Sequence, residues 1–158
     1  MYQKIVVPLD GSKFAECVLP HVEAMAEAYG TKEVMLVSVT ERIPVHWAVP
    51  DASQPIGQRL FTGARGKLER QAQRYLQRIV KGLKTKGIQV RTEVILGNPA
   101  EEIVNYAERN DSDLIVMASH GRSAISTWVR SVQTYGSVAD KILRISSMPV
   151  LLVKPTKS

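Results

Sequence analysis

The chain has 158 residues, of which 44% are hydrophobic and 6% aromatic, a composition that suits one domain with an aliphatic core and excludes disorder throughout. No apolar run approaches the ~20 residues that span a bilayer, and the single cysteine excludes an internal disulfide. The net charge of +6 is concentrated in residues 59–91, which carry ten Lys/Arg and one acid, so the basicity belongs to one element rather than to the whole surface.

The first strand and helix are bounded by turn signals. Residues 4–9 form a short β-branched apolar run, which predicts a buried strand, and Asp10 with the following glycine and serine ends it in a tight turn. Apolar positions then recur at helical spacing over 13–29, and Gly30 supplies a stop signal. Because Pro20 lies inside this helix, we expect a bend or an irregular first turn.

A second buried strand is predicted over residues 34–39. Residues 40–58 follow without periodicity and contain three prolines and a glycine, which predicts a long loop of the kind that is often functional. A basic helix is expected over residues 59–86, with an apolar stripe on one face and most of its cations on the others.

The second half of the chain continues the alternation of strands and helices. Alternating apolar residues over 88–96 predict a third strand near an edge of the sheet. Asn98 as N-cap and Pro99 at the first helical position predict the start of a helix. A fourth strand is expected over 113–118.

A loop rich in glycine and serine leads to a last helix over 137–145, in which Val138 and Leu143 are among the residues expected to be buried, and to a fifth strand over 149–153. The order is β-α-β-α-β-α-β-α-β within a single domain of residues 1–158. Continuously apolar strands separated by helices predict an α/β fold, an open five-stranded parallel sheet with helices on both faces.

The strand order that we favour is 3-2-1-4-5, since right-handed crossovers leave few topologies. This order reverses between strands 1 and 4, and ligands in open α/β sheets bind outside the carboxyl ends of the strands at such a point. The two loops that meet there are residues 8–12 and 118–123. The pattern therefore predicts a binding site before any relative is considered.

The loop after strand 4 continues to Gly136 and Ser137 at the start of the last helix. Gly136 lets the backbone approach a ligand closely, and Ser137 can cap the helix while its N–H and hydroxyl face an anion, because a helix start favours phosphate. Taken alone, the pair is more typical of an ordinary N-cap. Asp10 can accept hydrogen bonds from a ribose or an adenine, or it can hold an Asx-turn.

Five segments, in order along nearly the whole chain, resemble the signatures of the universal stress protein family. They are residues 7–12 (Val-Pro-Leu-Asp-Gly-Ser), 97–103, 113–123, 136–143 and 149–153. Each is weak alone, but five collinear matches identify the chain as a member of this family. The resemblance implies an adenine nucleotide alpha hydrolase-like fold and, in the ATP-binding branch, ATP accompanied by Mg²⁺.

The ATP-binding branch carries a pattern of Gly, two residues, Gly, nine residues, Gly, and then Ser or Thr, from which this chain departs twice. Ala118 stands in place of the first glycine. Fourteen residues, 122–135, separate Gly121 from Gly136, an excess of five. The excess is either an extruded loop that leaves the phosphate groups in place or a segment that fills the pocket.

The resemblance also implies which residues contact the nucleotide, carried over by matching position. Pro8 and Asp10 line the nucleoside, and the backbone of Val39 touches adenine. The residues that would surround the phosphates are Gly121, Arg122, Gly136, Ser137 and Val138. Met117 and Ala118 would lie beneath the phosphates.

Other kinds of site are not favoured. The sequence has no GxxxxGK[ST] loop and no dinucleotide fingerprint. The three histidines are scattered, so no metal site made purely of protein is expected. Ser119 and His120 are not favoured as nucleophile and base, because neighbours in sequence seldom have the required geometry and no orienting acid is evident.

The expected function is that of a regulatory stress-response protein that binds ATP and hydrolyses it slowly at most, since no catalytic residue is evident. The first alternative is a protein-interaction module of the same fold without a nucleotide. The second is a binder of nucleic acid or another anionic surface through the basic helix. A solvated basic face is favoured over this second alternative, because few aromatic residues interleave with the cations.

Assembly and location are predicted from the ends of the chain. The fifth strand, with Val-Leu-Leu-Val at 150–153, would be an apolar sheet edge, which predicts a homodimer that pairs there, and the resemblance implies the same interface. The N-terminus leads directly into a strand-like segment without a secretory signal, so we expect a cytoplasmic protein.

Overall fold

A computed structural model describes residues 1–41, 55–83, 87–121 and 135–155, and of residues 55–62 and 64 it describes the backbone only. The strands are β1 Lys4–Pro8, β2 Glu33–Thr40, β3 Gln89–Leu96, β4 Leu114–Ala118 and β5 Val150–Val153. The helices are α1 Leu19–Tyr29, α2 Pro55–Gly82, α3 Pro99–Arg109 and α4 Ser137–Ile145.

The five described strands lie in one sheet with the order β3-β2-β1-β4-β5, and each pair of neighbours is parallel. This confirms the predicted α/β class, the strand order and the position of β3 at an edge. Pairing covers eight positions between β2 and β3 and five between β1 and β2. The ladder between β1 and β4 has only two, Ile5 with Leu114 and Val6 with Ile115.

Apolar residues of the sheet alternate between two cores, one on each face. On one face Ile5 packs in a cluster with Leu76 of α2, and on the other Val6 packs in a cluster with Ile103 of α3 and Ile142 of α4. Ile5, Leu76 and Ile142 are fully buried, and each such aliphatic side chain stabilises the fold by ~1.5–3 kcal/mol. Continuously apolar strands are therefore needed because both faces of the sheet are covered.

The start of α1 is irregular, as Pro20 predicts. A 3₁₀ turn, Ala15–Val18, precedes the helix, and Pro20 lies in the first turn of α1. Proline is tolerated there because its missing N–H would have no intrahelical acceptor. Gly30 ends the helix in the left-handed conformation with φ of 62°.

The basic helix α2 begins earlier than predicted. It starts at Pro55, so residues 55–58 of the predicted loop are helical, and proline at the first helical position explains the start. The helix ends at Gly82, and residues 84–86 of the predicted helix and 42–54 of the predicted loop lie outside the described residues. Although α2 spans 28 residues, no helix in the described ranges is both long and apolar enough to cross a membrane.

The bounds of α4 agree with the prediction, but one of its core residues does not. Ala139 and Ile142 are buried, whereas Leu143 is 41% exposed. Successive helical residues are rotated by about 100°, so Leu143 turns away from the sheet when Ile142 faces it. Val138 is half-buried.

Candidate functional site

A cleft of about 290 Å³ opens at the carboxyl ends of β1 and β4. The strand order reverses at this point, with β2 beside β1 and β5 beside β4. Adjacent parallel strands whose connections leave to opposite faces produce such a crevice. The volume lies near the lower end of the ~300–1,000 Å³ that is typical of small-molecule pockets.

The cleft brings together nine of the ten residues that the sequence singles out. They come from the ends of β1, β2 and β4 and from the start of α4: Pro8, Asp10, Val39, Met117, Ala118, Gly121, Gly136, Ser137 and Val138. The tenth, Arg122, lies outside the described residues. So does the rest of 122–134, which is most of the lengthened stretch between Gly121 and Gly136.

Half of the cleft lining lies outside the ten candidate residues. Leu9, Ser119 and His120 belong to the two loops predicted to meet there, whereas Ala15, Val37, Glu41, Pro99, Ile103 and Ala139 were not predicted to line it. Val37 and Glu41 lie two positions before and after Val39, so the two-residue period of β2 was a signal that could have found them. Pro99 and Ile103 belong to α3, and no local pattern marks them as neighbours of the loop after β1.

The loop after β1 is held by the Asp10 side chain. The Ser12 N–H and the Ser12 hydroxyl donate to Asp10 Oδ1 at 2.9 Å and 2.6 Å. The Ser12 hydroxyl oxygen in turn accepts from the Ala15 N–H at 3.2 Å. The Asx-turn interpretation of Asp10 is therefore confirmed, and the turn fixes its carboxylate at the edge of the cleft.

The loops after β1 and β4 touch where Gly121 meets Asp10. A Cβ atom built on Gly121 would collide with Asp10 Oδ2. Glycine is therefore required at position 121 by close contact, because any side chain there would displace the carboxylate or the loop.

Within the described residues, no side chain caps the start of α4. Gly136 is the N-cap residue, in an extended conformation, and Ser137 is the first helical residue. The expectation that Ser137 caps the helix is therefore wrong, because its side chain lies one position too late. The Gly136 N–H donates to the Ser119 carbonyl at 2.8 Å. The N–H groups of the first helical turn lack intrahelical acceptors, so this helix end offers donors to the cleft.

The end of β2 offers a backbone donor and acceptor. Pairing of β1 with β2 ends at Pro8 and Val37, and the Val37 carbonyl accepts from the Leu9 N–H at 2.8 Å. In a parallel ladder a residue directs its N–H and its C=O to the same neighbouring strand, and this side alternates along the strand. Val39 therefore directs both groups to the side of β1, beyond the last paired position.

Ser119 and His120 lie within hydrogen-bonding distance, since Ser119 Oγ is 3.1 Å from His120 Nδ1. The two side chains therefore meet, although neighbours in sequence seldom have this geometry. Ser119 is only 1% exposed, and its N–H donates to the Val153 carbonyl at 2.8 Å. In the parts of the chain that the structure describes, no group of three or more His, Cys, Asp or Glu could hold a metal ion.

Behind the β1 loop, Tyr75 of α2 faces two carboxylates. Burial raises the pKa of the Tyr75 phenol, and the charges of Glu16 and Asp10 raise it further. Arg78 opposes this shift, and its guanidinium lies 5.2 Å from the centre of the Tyr75 ring. Among the described residues the buried Tyr75 hydroxyl has no hydrogen-bond partner, so the neutral phenol is favoured.

Known proteins are similar to this chain in sequence over almost its whole length. The universal stress protein family model matches residues 1–154. Universal stress protein MJ0577 of Methanocaldococcus jannaschii is 30% identical over 165 residues, which cover 100% of this chain and 98% of the relative. Universal stress protein MJ0531 of the same organism is 30% identical over 157 residues, which cover 99% and 85%.

Solved structures show the same fold. The structure of MJ0577 has a TM-score of 0.81 and 31% identity, and covers 100% of this chain and 99% of the other. A universal stress protein in complex with cAMP has a TM-score of 0.57 and 20% identity, with 98% of each chain covered. A family protein of Arabidopsis thaliana with AMP bound has a TM-score of 0.58 and 16% identity, with 98% and 92% covered.

The last two similarities, at low identity, show the fold alone. Membership is decided by the family model, which spans almost the full length, and by the two relatives at 30% identity. The chain belongs to the universal stress protein family.

Proposed function

We propose that this chain binds an adenine nucleotide, ATP with Mg²⁺, in the cleft between β1 and β4, and that it acts as a regulatory module rather than as a fast enzyme. One observation carries the proposal. The cleft combines a backbone donor and acceptor at Val39, a carboxylate fixed at Asp10 and the uncapped start of α4. These three features suit a base edge, a ribose and a phosphate chain.

The base would lie at the end of β2. The Val39 N–H would donate to adenine N1, and the Val39 carbonyl would accept from the exocyclic amine. Val37 and Ile103 supply apolar walls for the faces of the ring. Guanine presents a donor at N1 and an acceptor at O6, the reverse order, so this pair favours adenine over guanine.

The ribose would lie against the loop after β1. Pro8 and Asp10 line this part of the cleft. A carboxylate accepts hydrogen bonds from hydroxyl groups, and the turn to Ser12 holds Asp10 in place for them. The lack of a side chain at Gly121 keeps the carboxylate in this position.

The phosphates would lie at the start of α4. The N–H groups of Ser137 and Val138 and the positive end of the helix dipole favour phosphate oxygens, with Gly121 and Gly136 giving close backbone approach and Met117 and Ala118 lying beneath. Arg122, the residue after Gly121, completes the proposed set. Mg²⁺ keeps several waters and binds through phosphates with few carboxylates, and among the described lining residues Asp10 and Glu41 carry such groups.

The ligand class has support from the fold. Two structures of the same fold contain cAMP and AMP, which share adenine, ribose and phosphate with ATP. Binding would change the conformation of the chain or its affinity for a partner, and any hydrolysis would be slow. We also propose a cytoplasmic location.

Titration calorimetry with ATP and Mg²⁺ tests the proposal. We expect saturable binding of ATP and at least roughly tenfold weaker binding of GTP, the size of one lost hydrogen-bond pair. Val39→Pro removes the donor and should weaken ATP binding by about tenfold or more. The matched variant Val39→Ala keeps the backbone groups and should bind nearly as the wild type does. Absence of heat at millimolar ATP overturns the proposal.

A further inference from the structure

We infer that the exposed face of α2 is a docking surface for the phosphate backbone of double-stranded DNA. The surface is a shallow groove, here called the basic groove, lined by Arg70, Gln73, Arg74, Gln77, Arg78 and Lys81. None of these residues lines the cleft between β1 and β4. This surface is therefore distinct from the proposed nucleotide site.

The cations of the basic groove form one stripe along the helix. Arg70, Arg74, Arg78 and Lys81 follow each other at three- or four-residue spacing, which places them on one side of an α-helix. The four cover about 16 Å at 1.5 Å per residue. Lys67, exposed one turn earlier, continues the stripe.

Most of these positive charges have no acidic partner within the described part of the chain. Arg78 pairs with Glu16 at 2.8 Å, and the other ion pair of α2 joins Arg65 to Glu69 at 3.0 Å. Like charges at this spacing repel each other and destabilise a helix. A polyanion laid along the stripe would remove this repulsion.

The chemistry of the stripe favours a duplex over a membrane or a single strand. A helix that lies on a membrane turns its apolar face to the lipid, but Leu76 and Ile79 of α2 are 0% and 5% exposed in the core. Single-strand binders stack bases on aromatic side chains. Of the aromatic rings that the structure describes, Tyr75 lies beside the basic groove, and it is half-buried and covered by Arg78.

A regular row of cations on a helix matches a regular linear anion. Duplex DNA carries about one charge per 1.7 Å of axis. Its major groove, ~12 Å wide, is broad enough for a helix, whereas the major groove of duplex RNA is too narrow. Gln73 and Gln77 can donate to phosphate or sugar oxygens between the cations. Such contacts carry no sequence information, so the binding should be independent of sequence.

Fluorescence anisotropy of the full chain with a labelled duplex of about two helical turns tests the inference. With three or four phosphate contacts, log K should fall with log[salt] with a slope of about −3 to −4. The triple variant R70Q/R74Q/K81Q should bind at least roughly tenfold more weakly at low salt and lose about 2–3 units of slope. Calorimetry with ATP should give the same affinity for this variant as for the wild type.

The control variant K32Q/R109Q/K154Q removes the same net charge from exposed positions outside α2 and should bind DNA nearly as the wild type does. Circular dichroism checks that both variants fold, and R74Q alone serves if the triple variant does not. Four outcomes overturn the inference: no binding at low salt, equal weakening by the control, equal or tighter binding of a single strand or duplex RNA, and tighter binding of phosphatidylserine vesicles.

Discussion

Gly121 is a residue where contact, rather than backbone conformation, demands glycine. Its missing Cβ leaves room for Asp10 Oδ2, and Asp10 is itself held by Ser12 through Oδ1. The carboxylate therefore cannot move aside without breaking the turn. The geometry of the loop after β1 thus depends on a residue more than a hundred positions later in the chain.

Gly121→Ala is expected to lower the free energy of unfolding by about 1–3 kcal/mol, the usual cost of an extra methyl group in a filled space. Urea denaturation measures this loss. The same substitution should cost less in an Asp10→Ser background, because the shorter side chain vacates the position of Oδ2. If Gly121→Ala lowers the free energy of unfolding equally in both backgrounds, the contact with Asp10 does not cause the loss.

Tyr75→Phe should change the dependence of stability on pH. The pKa of Tyr75 in the folded chain is raised above the unfolded value of about 10. The stabilisation that comes from this shift is therefore fully present below pH ~10, and it is lost as the pH rises towards the folded pKa. The variant should lack this loss when unfolding is compared at about pH 8 and about pH 11. Tyr29→Phe, at an exposed position, is the control.

Near neutral pH, Tyr75→Phe should be neutral or stabilising by up to about 1 kcal/mol, because the variant removes a buried hydroxyl that has no hydrogen-bond partner in the described part of the chain. A clear destabilisation at neutral pH would contradict this and would indicate that the phenol donates a hydrogen bond to Glu16 in solution.

At the scale of elements, α2 is a long helix with glycines in its first half. Gly63 has a helical backbone, and outside its own helical turn a Cβ there would meet no atom of the described residues within 4 Å. Gly63→Ala should therefore raise the free energy of unfolding by about 0.5–1 kcal/mol. The matched substitution Gly30→Ala, at a φ of +62°, should lower it by roughly 1 kcal/mol. Thermal unfolding of the two variants measures both changes. Two changes in the same direction would contradict this prediction.

The strands could be predicted closely because each is a continuous apolar run between turn signals, and their order followed from parallel pairing. The start of α2 could not, because Pro55 and Gly57 are loop signals in general and become helical only when the next residues continue the helix. In the cleft, residues at the ends of β1 and β4 were predictable from topology. Ile103 was not, because tertiary packing decides which side chain of α3 reaches the cleft.

At the scale of the whole molecule, β5 is the outermost described strand on its side of the sheet. The carbonyls of Pro149 and Val153 accept from the N–H groups of Ile115 and Ser119 at 3.0 Å and 2.8 Å. The backbone of Leu152, one position away from Val153, therefore faces outward. An apolar edge with outward N–H and C=O groups favours pairing with a second copy. We therefore propose a homodimer through β5.

Leu152→Pro removes one outward N–H and leaves the β4 pairing intact. We expect a dimer for the wild type and a monomer for this variant by light scattering. Leu152→Ala removes side-chain packing but keeps the N–H, and it should remain dimeric. A monomeric wild type, or a monomer for both variants, would contradict pairing through the backbone.

The short ladder between β1 and β4 has a consequence for how the molecule opens. The sheet consists of two better-paired portions, β3-β2-β1 and β4-β5, joined by two paired positions at the line where the cleft lies. A ligand that reaches from Val39 to α4 crosses this line and adds bonds that local opening must break. The amide proton of Val6, which faces β4, would then exchange with deuterium more slowly once ATP is present, because the bound nucleotide adds contacts across this line.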